Sequence, residues 1–432
     1  MCGIAGIAGR RDEALVKNMT DRIAHRGPDD EGFYTDEHVS LGHRRLSIID
    51  VEGGHQPMAN DDGTLWLVYN GEVYNFRELR HRLEGKGYRF RTRTDTEVIL
   101  HAYAEYGEAC VEHLQGMFAF ALWDMRQRKL LLARDPIGVK PLYYAQAGGV
   151  LYFASEMKAI LTAPEIGRDI DFEALDDYLT YLYTVPPRTM FRDIRQLPPG
   201  HLATWQDGAW AQRRYWRLEV GAEERDEVDW LERIRARLDD TIAMYMVADV
   251  PLGAFLSGGL DSATIVHHMT QHAVDPVHTF TIGFTEEANL YDESTEARAL
   301  AQHFGSAHKP LTVAADVAEL LPTIVRHFDE PFGNPTALLS YAVCRLVREH
   351  VTVVLSGDGG DECFGGYQRY AGVALAEQYR ELPWFLRHRL INPLVQLLPE
   401  STRGFHALRR LRQFSAGSLL EPVEMYAAWV SY

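Results

Sequence analysis

Residues 252–262 read Leu-Gly-Ala-Phe-Leu-Ser-Gly-Gly-Leu-Asp-Ser. A short apolar run, Leu252–Leu256, gives way to paired glycines flanked by hydroxyls, and a helical pattern follows over Ala263–Gln271. A strand that turns through glycines into a helix aims backbone N–H groups and the positive end of a helix dipole at one spot, which suits an anion such as pyrophosphate. The Gly-Lys-Ser/Thr ending of the common nucleoside-triphosphate loop is absent, so no lysine of this loop reaches a terminal phosphate. A carboxylate, Asp261, stands there instead. An acid beside phosphates makes sense when Mg²⁺ sits between them, because that ion favours one or two protein carboxylates plus phosphate oxygens. The plain alternative is an ordinary glycine-rich βα turn.

Working outward, a second acidic, glycine-rich loop, Ser356-Gly357-Asp358-Gly359-Gly360-Asp361-Glu362, follows the apolar run Val351–Leu355. A third apolar run, Val277–Phe284, lies between, and helical segments are expected near Glu293–Phe304, Asp316–Phe328 and Thr336–His350. Strands alternating with helices predict a doubly wound, mostly parallel sheet, with both loops at its carboxyl edge. Asp361 is then the second candidate metal ligand. Ahead of these strands, Trp230, Ile234, Leu238, Ile242 and Met246 recur at every fourth position and predict a helix with one buried stripe. The charged stretch Glu219–Asp229 reads as a linker.

The first half follows another pattern. Short apolar or alternating runs at Leu65–Tyr69, Met117–Trp123, Lys129–Ala133 and Val150–Ala154 predict strands, the middle two forming a hairpin. Two helices interrupt them, one after Asn75 and one after Thr94, where Asn75-x-x-Glu78 and Thr94-x-x-Glu97 resemble capping boxes. The expected class is α+β. Cys2 follows the initiator methionine, so removal of Met1 would leave a thiol and a free amine on one residue. An α-amine titrates near ~7.7–8.0, close enough to neutrality to take the thiol proton without a histidine. Acyl transfer through a thiolate also needs an oxyanion hole, and Asn70-Gly71 offers a side-chain amide next to an unhindered backbone N–H, though Asn-Gly is equally a turn dipeptide. Arg45 is a candidate cation for an amino acid's carboxylate and Asp95 a candidate anion for its amine.

Composition narrows the partners. The chain has 432 residues and a formal charge of −17, which disfavours nucleic acid and anionic membranes and leaves small molecules as the default. Four cysteines, at 2, 110, 344 and 363, lack C-x-x-C spacing and fit a reducing compartment. With no run long enough for a membrane span and no basic residue ahead of the apolar Met1–Gly9, a cytoplasmic protein is expected.

Several stretches together carry a resemblance. Cys2-Gly3-Ile4, His25-Arg26-Gly27-Pro28-Asp29, Arg45-Leu46-Ser47-Ile48, Asn70-Gly71-Glu72-Val73-Tyr74-Asn75, Gly116-Met117-Phe118-Ala119-Phe120 and Arg134-Asp135-x-x-Gly138-x-x-Pro141-Leu142-Tyr143 resemble the glutaminase domain of glutamine-hydrolysing asparagine synthetases. The loops at 257–262 and 356–362, with Phe364-Gly365-Gly366-Tyr367, resemble that family's synthetase domain. The resemblance implies an α+β N-terminal-nucleophile (αββα) glutaminase domain over 2–215, a linker over 216–229, and an α/β doubly wound ATP-pyrophosphatase domain over 230–432. It implies that Cys2 attacks glutamine, that Asn70 and Gly71 hold the oxyanion, and that Arg45, Glu72 and Asp95 bind the α-carboxylate and α-amine. In the second domain it implies that Ser257, Gly258, Gly259, Asp261 and Ser262 bind pyrophosphate. Phe255, Ile282, Ser356 and Gly357 would line the nucleotide pocket, and Asp261 and Asp361 would hold Mg²⁺.

The implied reaction adenylates a carboxylate, aspartate first among candidates, with ATP, and lets glutamine-derived ammonia displace AMP. Free ammonia would be lost to water, so an internal passage between the domains is expected. Another carboxylate acceptor is the rival reading; a glutamine- and ATP-binding sensor subunit is a third. Enzymes making glucosamine phosphate or phosphoribosylamine share the first half only, and the two acidic loops speak against them. A homodimer is left open. Two departures stand out. Asp358 occupies a position where the family often has glutamate, one methylene longer, for a base acting on ammonia. The family's later arginine-rich segment, Pro-Phe-Leu-Asp-like stretch and pyrophosphate-binding lysine are not found between Tyr367 and Tyr432, so a truncated synthetase domain with weakened synthesis is expected.

Overall fold

In the computed structural model, residues 1–221, 223–284, 293–313, 317–334, 336–397 and 406–431 are described. The first half contains twelve strands among them: β1 (Gly3–Ala8), β2 (Asp30–Thr35), β3 (Val39–Arg45), β4 (Met58–Ala59), β5 (Leu65–Val73), β6 (Gly116–Asp124), β7 (Lys129–Arg134), β8 (Tyr143–Ala147), β9 (Val150–Ala154), β10 (Arg195–Gln196), β11 (His201–Gln206) and β12 (Ala209–Arg214). They form two six-stranded sheets, ordered β10-β8-β9-β1-β3-β2 and β12-β11-β7-β6-β5-β4.

Side-chain alternation builds the layers. Along β6, Ala119, Ala121 and Trp123 face the first sheet, where they meet Ile4, Leu41, Leu151 and Phe153; Phe118, Phe120 and Leu122 face the opposite way. Helices Phe76–Glu84 and Asp95–Tyr106 cover that outer face through Leu79, Leu83, Ile99 and Tyr103. Helices Glu13–Arg22 and Met157–Ile160 cover the outer face of the first sheet through Val16, Met19, Met157 and Ile160. The result is the αββα sandwich, with an apolar layer between every pair of layers.

The second half holds a parallel sheet of β13 (Leu252–Phe255), β14 (His278–Phe284), β15 (Ala307–Val313) and β16 (Val353–Leu355), in the order β15-β14-β13-β16. Both faces are buried, one under Ile242, Val266, Met269 and Ala297, the other under Val343 and Val347. After β13 the chain winds one way to β14 and β15, then returns to add β16 on β13's other side. The gap between β13 and β16 is therefore the switch point at which such sheets bind ligands, and the loops 257–262 and 356–362 flank it.

Several expectations change. Asn70-Gly71-Glu72 is not a turn: β5 continues through it, pairing Asn70 with Ala119 and Gly71 with Phe118. Neither capping box closes. Asn75 accepts from the Gln115 N–H (2.9 Å) and donates to His113 O (2.9 Å) instead of capping its helix. Thr94 does cap the N–H of Thr96 at 3.2 Å, but Glu97 accepts from the Arg91 and Thr92 amides rather than that of Thr94. Helix Glu13–Arg22 was not foreseen; its buried Val16, Met19 and Thr20 make a short, mixed stripe. Strand β15 was also missed. Pro310 interrupts its pattern, and is tolerated because β15 lies at the sheet edge.

Helix Glu227–Tyr245, capped by Asp226, absorbs the last residues assigned to the linker. Of its expected stripe only Ile242 is buried, and Trp230 is 38% exposed, because the described residues pack against the C-terminal part of that helix. Residue 316, the expected start of a helix, and residue 432 lie outside the described residues; helix Val317–Phe328 begins just after the former. Among the described residues, no helix is long and apolar enough to cross a membrane.

Candidate active sites

Cys2 sits immediately ahead of β1, a strand paired on both sides, by β3 and β9. Its Sγ accepts from the Leu46 N–H at 3.4 Å and donates to Leu46 O at 3.7 Å, and its own carbonyl accepts from Arg26 Nε at 2.9 Å. The thiol is thus fixed from both sides. Burial pushes it above the ordinary thiol range, with Arg45 opposing, so ionisation needs a nearby base. Met1 lines the same cavity, and burial lowers its α-amine to about 6.

The cavity beside Cys2 is walled by Arg45, Asn70, Gly71, Glu72 and Asp95, all singled out from the sequence. Asn70 is fully buried, and among the described residues neither its Nδ2 nor its Oδ1 has a partner. A buried amide left unpaired costs about 1–3 kcal/mol, so its placement calls for a ligand. Gly71 admits no side chain: a Cβ there would stand 2.1 Å from Met117 O and 2.7 Å from Phe118 Cα.

Asp95 opens helix Asp95–Tyr106 and is held by Tyr69 Oη (2.8 Å) and the Val73 N–H (2.9 Å). Burial raises its pKa, against these hydrogen bonds. Glu72 is pushed up to about 7, first by burial and then by Asp95, with Lys140 and the α-amine opposing. A buried carboxylate raised further by a neighbouring one makes a site that gains from a bound cation. Arg45 lines the cavity, yet its guanidinium already donates to Val51 O (2.7 Å), Asp50 O (2.7 Å) and Ile49 O (3.2 Å), shaping the loop that forms one wall.

Sequence reasoning overlooked Gln56, Thr94 and Lys140 in this wall. Lys140 directly precedes Pro141 in the Arg134-Asp135-x-x-Gly138-x-x-Pro141 stretch, which was the available signal. Its amide donates to Asp135 Oδ2 at 2.9 Å, which sets its direction, and burial lowers its pKa.

At the switch point of the second sheet, Phe255, Ser257, Asp261, Ser262, Ile282, Ser356, Gly357, Asp358 and Asp361 line one cleft of about 630 Å³. Gly258 and Gly259 belong to the loop but not to this wall. The Gly258 N–H donates to Glu293 Oε2 at 2.9 Å, so a carboxylate stands where an anionic ligand oxygen could be held. Ser257 and Ser262 bond each other at 2.9 Å, and the Gly259 N–H donates to Ser257 Oγ at 3.1 Å. The two loops touch: a Cβ on Gly360 would lie 2.6 Å from the Asp261 carboxyl carbon, and one on Gly357 2.9 Å from Asp261 Cβ. Asp358 accepts from Ser356 Oγ at 2.8 Å.

Thr336, Leu339, Ser340, Val343, Cys344, Glu362 and Tyr367 complete the wall and were not foreseen as one surface. Asp261, Asp358, Asp361 and Glu362 give it four carboxylates, with no lysine or arginine among the described lining residues. Among those residues no group of three or more metal-ligating side chains gathers. Two hard carboxylates at a cleft nevertheless suit Mg²⁺, an ion that favours one or two protein carboxylates and would take its other ligands from phosphate and water.

Two family models match the chain, a glutamine amidotransferase domain over residues 1–216 and asparagine synthase over residues 233–428. The second match takes in most of the region after Tyr367, which had been expected to depart from the family. An asparagine synthetase (glutamine-hydrolysing) of Bacillus subtilis is 38% identical over 95% of this chain and 66% of its own length. A second from that organism is 33% identical over 93% of this chain and 68% of its own length. A putative asparagine synthetase of Methanocaldococcus jannaschii is 35% identical over 99% of this chain and 87% of its own length. The chain thus spans just under two thirds of the first Bacillus relative. On these two adjoining matches and on the extent of the likeness, the chain belongs to the family of glutamine-hydrolysing asparagine synthetases.

Proposed function

We propose that this chain is a glutamine-dependent amide ligase that converts aspartate to asparagine at the expense of ATP. The unpartnered amide of Asn70, buried in the wall of the cavity that Cys2 also lines, carries the reading. On removal of Met1, the α-amine of Cys2 takes the thiol proton, and Sγ attacks the side-chain carbonyl carbon of glutamine. Asn70 Nδ2 and the Gly71 N–H receive the oxyanion. The protonated amine returns its proton to the leaving nitrogen, ammonia departs, and water hydrolyses the glutamyl thioester to glutamate. Glu72 and Asp95 hold the substrate ammonium; Arg45 attracts its carboxylate.

In the second half, an aspartate side-chain oxygen attacks the α-phosphorus of ATP, and pyrophosphate leaves. Ammonia then attacks the acyl carbon, Asp358 accepts a proton, and AMP leaves. Activation is required because ammonia cannot displace a carboxylate oxygen directly. Mg²⁺ bound by Asp261 and Asp361 would supply the positive charge that a four-carboxylate wall lacks. Ammonia would pass inside the protein from one half to the other, since protonation in water would quench it as a nucleophile.

The test incubates the purified chain with glutamine, Mg-ATP and single candidate acids, following glutamate, AMP and pyrophosphate together. Aspartate-dependent AMP release with asparagine formation is expected. AMP release with another acid but not aspartate would change the acceptor, and nucleotide binding without AMP under every acid would sink the ligase reading.

The acid pair gives a pH signature. With its pKa raised to about 7, Glu72 is charged above that pH and neutral below it, so its hold on the substrate ammonium is lost as pH falls. KM for glutamine is expected to rise about tenfold between its high-pH plateau and pH 6, following a single protonation. Glu72→Gln should flatten that profile at a high KM. An unchanged profile in the variant would remove Glu72 from ammonium binding.

A further inference from the structure

Glu156 lies outside both cavities, yet two cations and a histidine converge on it. Its Oε1 accepts from Arg26 Nη1 at 2.9 Å and lies 3.0 Å from His25 Nε2, and its Oε2 pairs with Lys158 Nζ. It is 7% exposed. Arg26 is the residue whose Nε holds the carbonyl of Cys2, so the hub is one side chain from the nucleophile's backbone. Burial alone would raise the Glu156 carboxyl; His25, Arg26 and Lys158 outweigh it and hold the group down to about 2, permanently charged.

Lys158 faces the other half of the molecule. Its Nζ pairs with Asp329 Oδ1 at 2.9 Å, and its N–H donates to Asp329 Oδ2 at 3.0 Å. Asp329 has φ 65°, the left-handed region that side chains other than glycine seldom adopt. The residues around it are clamped onto the first half as well. His327 packs edge-on against His25, ring centroids 4.7 Å apart. Glu330 accepts from Thr184 Oγ1 (2.7 Å) and the Met190 N–H (3.0 Å). The Gly333 N–H donates to Leu182 O at 2.9 Å. From this docked strap the chain continues to Thr336, which with Leu339, Ser340 and Val343 forms a wall of the nucleotide cleft.

We propose that Glu156 is a positioning residue for Cys2 and that Lys158 and Asp329 couple it, through the strap 327–334, to occupancy of the nucleotide cleft. This rests on the ligase reading above. A shift of the Thr336 wall on substrate binding moves Asp329; Lys158 follows its two carboxylate partners, and Glu156 then resets Arg26 and the Cys2 carbonyl. From Cys2 to Asp329 each link is a direct hydrogen bond or ion pair, and the main chain that leads on to Thr336 carries the rest, so coupling needs no distant field.

The experiment measures glutamate formation by the full chain with glutamine alone and with glutamine plus Mg-ATP and aspartate. The native protein is expected to be stimulated about fivefold or more by the second set, the range of ordinary site-to-site coupling. Lys158→Met should abolish the stimulation while ammonia-dependent AMP release stays within about twofold of native, and Lys158→Arg should restore most of it. Should Lys158→Met fail to fold, shown by loss of ammonia-dependent AMP release, Asp329→Asn takes its place with the same expectation. Glu156→Gln should lower kcat for glutamine hydrolysis about tenfold with KM nearly unchanged, as for lost positioning of the nucleophile rather than lost binding. Full stimulation in Lys158→Met, or none in the native protein, would overturn the coupling. A change in KM alone in Glu156→Gln would overturn the positioning role. Absence of any glutaminase or AMP-forming activity in the native chain would instead show that the ligase reading, and the proposal with it, had failed.

Discussion

Cys2→Ala is expected to lower glutamate formation at least about 10³-fold while leaving ammonia-dependent AMP release within about twofold of native, because removal of a nucleophile eliminates the covalent route altogether. The site leaves little for a substitute to use. No serine or second cysteine lines the cavity among the described residues. The oxyanion donors, Asn70 and Gly71, belong to β5 and hold their place through the ladder with β6, independently of Cys2. Glutamine should therefore still bind, and the variant should show a KM-like dissociation constant near the native value with turnover gone. The same argument makes processing decisive. With Met1 attached, the nitrogen of Cys2 is an amide that cannot accept the thiol proton, and the raised thiol stays protonated near neutrality. Intact-mass measurement of active protein should find Met1 absent; full activity with Met1 retained would remove the α-amine from the mechanism.

What the sequence made legible was chemistry confined to short runs. Cys2, Asn70-Gly71 and the two acidic loops each bring their reactive groups together within a few residues, so nearest neighbours suggest their use. The strap does not. Glu156 and Asp329 are 173 positions apart, and either alone reads as a surface acid; their shared lysine appears only when the halves dock. Local signals also misled where tertiary structure overrode them. Asn-Gly favours a turn in isolation, but the approach of Met117 and Phe118 uses the missing side chain of Gly71 to keep β5 straight through the oxyanion site. Asn75 has a capping side chain but spends it on the backbone at 113–115, accepting from the Gln115 N–H and donating to His113 O. Periodicity located the parallel strands facing the cleft, whereas β15, polar and proline-bearing at the edge, has no periodicity to read.

The strongest expectation for the second half concerns Asp261. Asp261→Asn keeps the side chain's shape, which matters because Gly357 and Gly360 pack directly against it, and removes its charge. If Asp261 holds Mg²⁺ against the triphosphate, losing one of two anionic ligands should cut ammonia-dependent AMP release at least about 10²-fold, the scale on which single transition-state charge contacts act. Glutamine hydrolysis measured without nucleotide should stay near native, since Cys2, Asn70 and Glu72 are held by the sandwich and not by the parallel sheet. The opposite result carries equal information. A carboxylate in a wall that already contains Asp358, Asp361 and Glu362 repels a triphosphate if no cation intervenes, so removing one such charge would then tighten nucleotide binding and spare turnover. Faster AMP release, or unchanged release with a lower KM for ATP, would mean that Asp261 is no metal ligand and that the loop at 257–262 grips phosphate through its backbone and hydroxyls alone. Repeating the comparison across Mg²⁺ concentrations separates the cases further: a ligand's loss should raise the Mg²⁺ needed for half-maximal rate, whereas a bystander's loss should not move it.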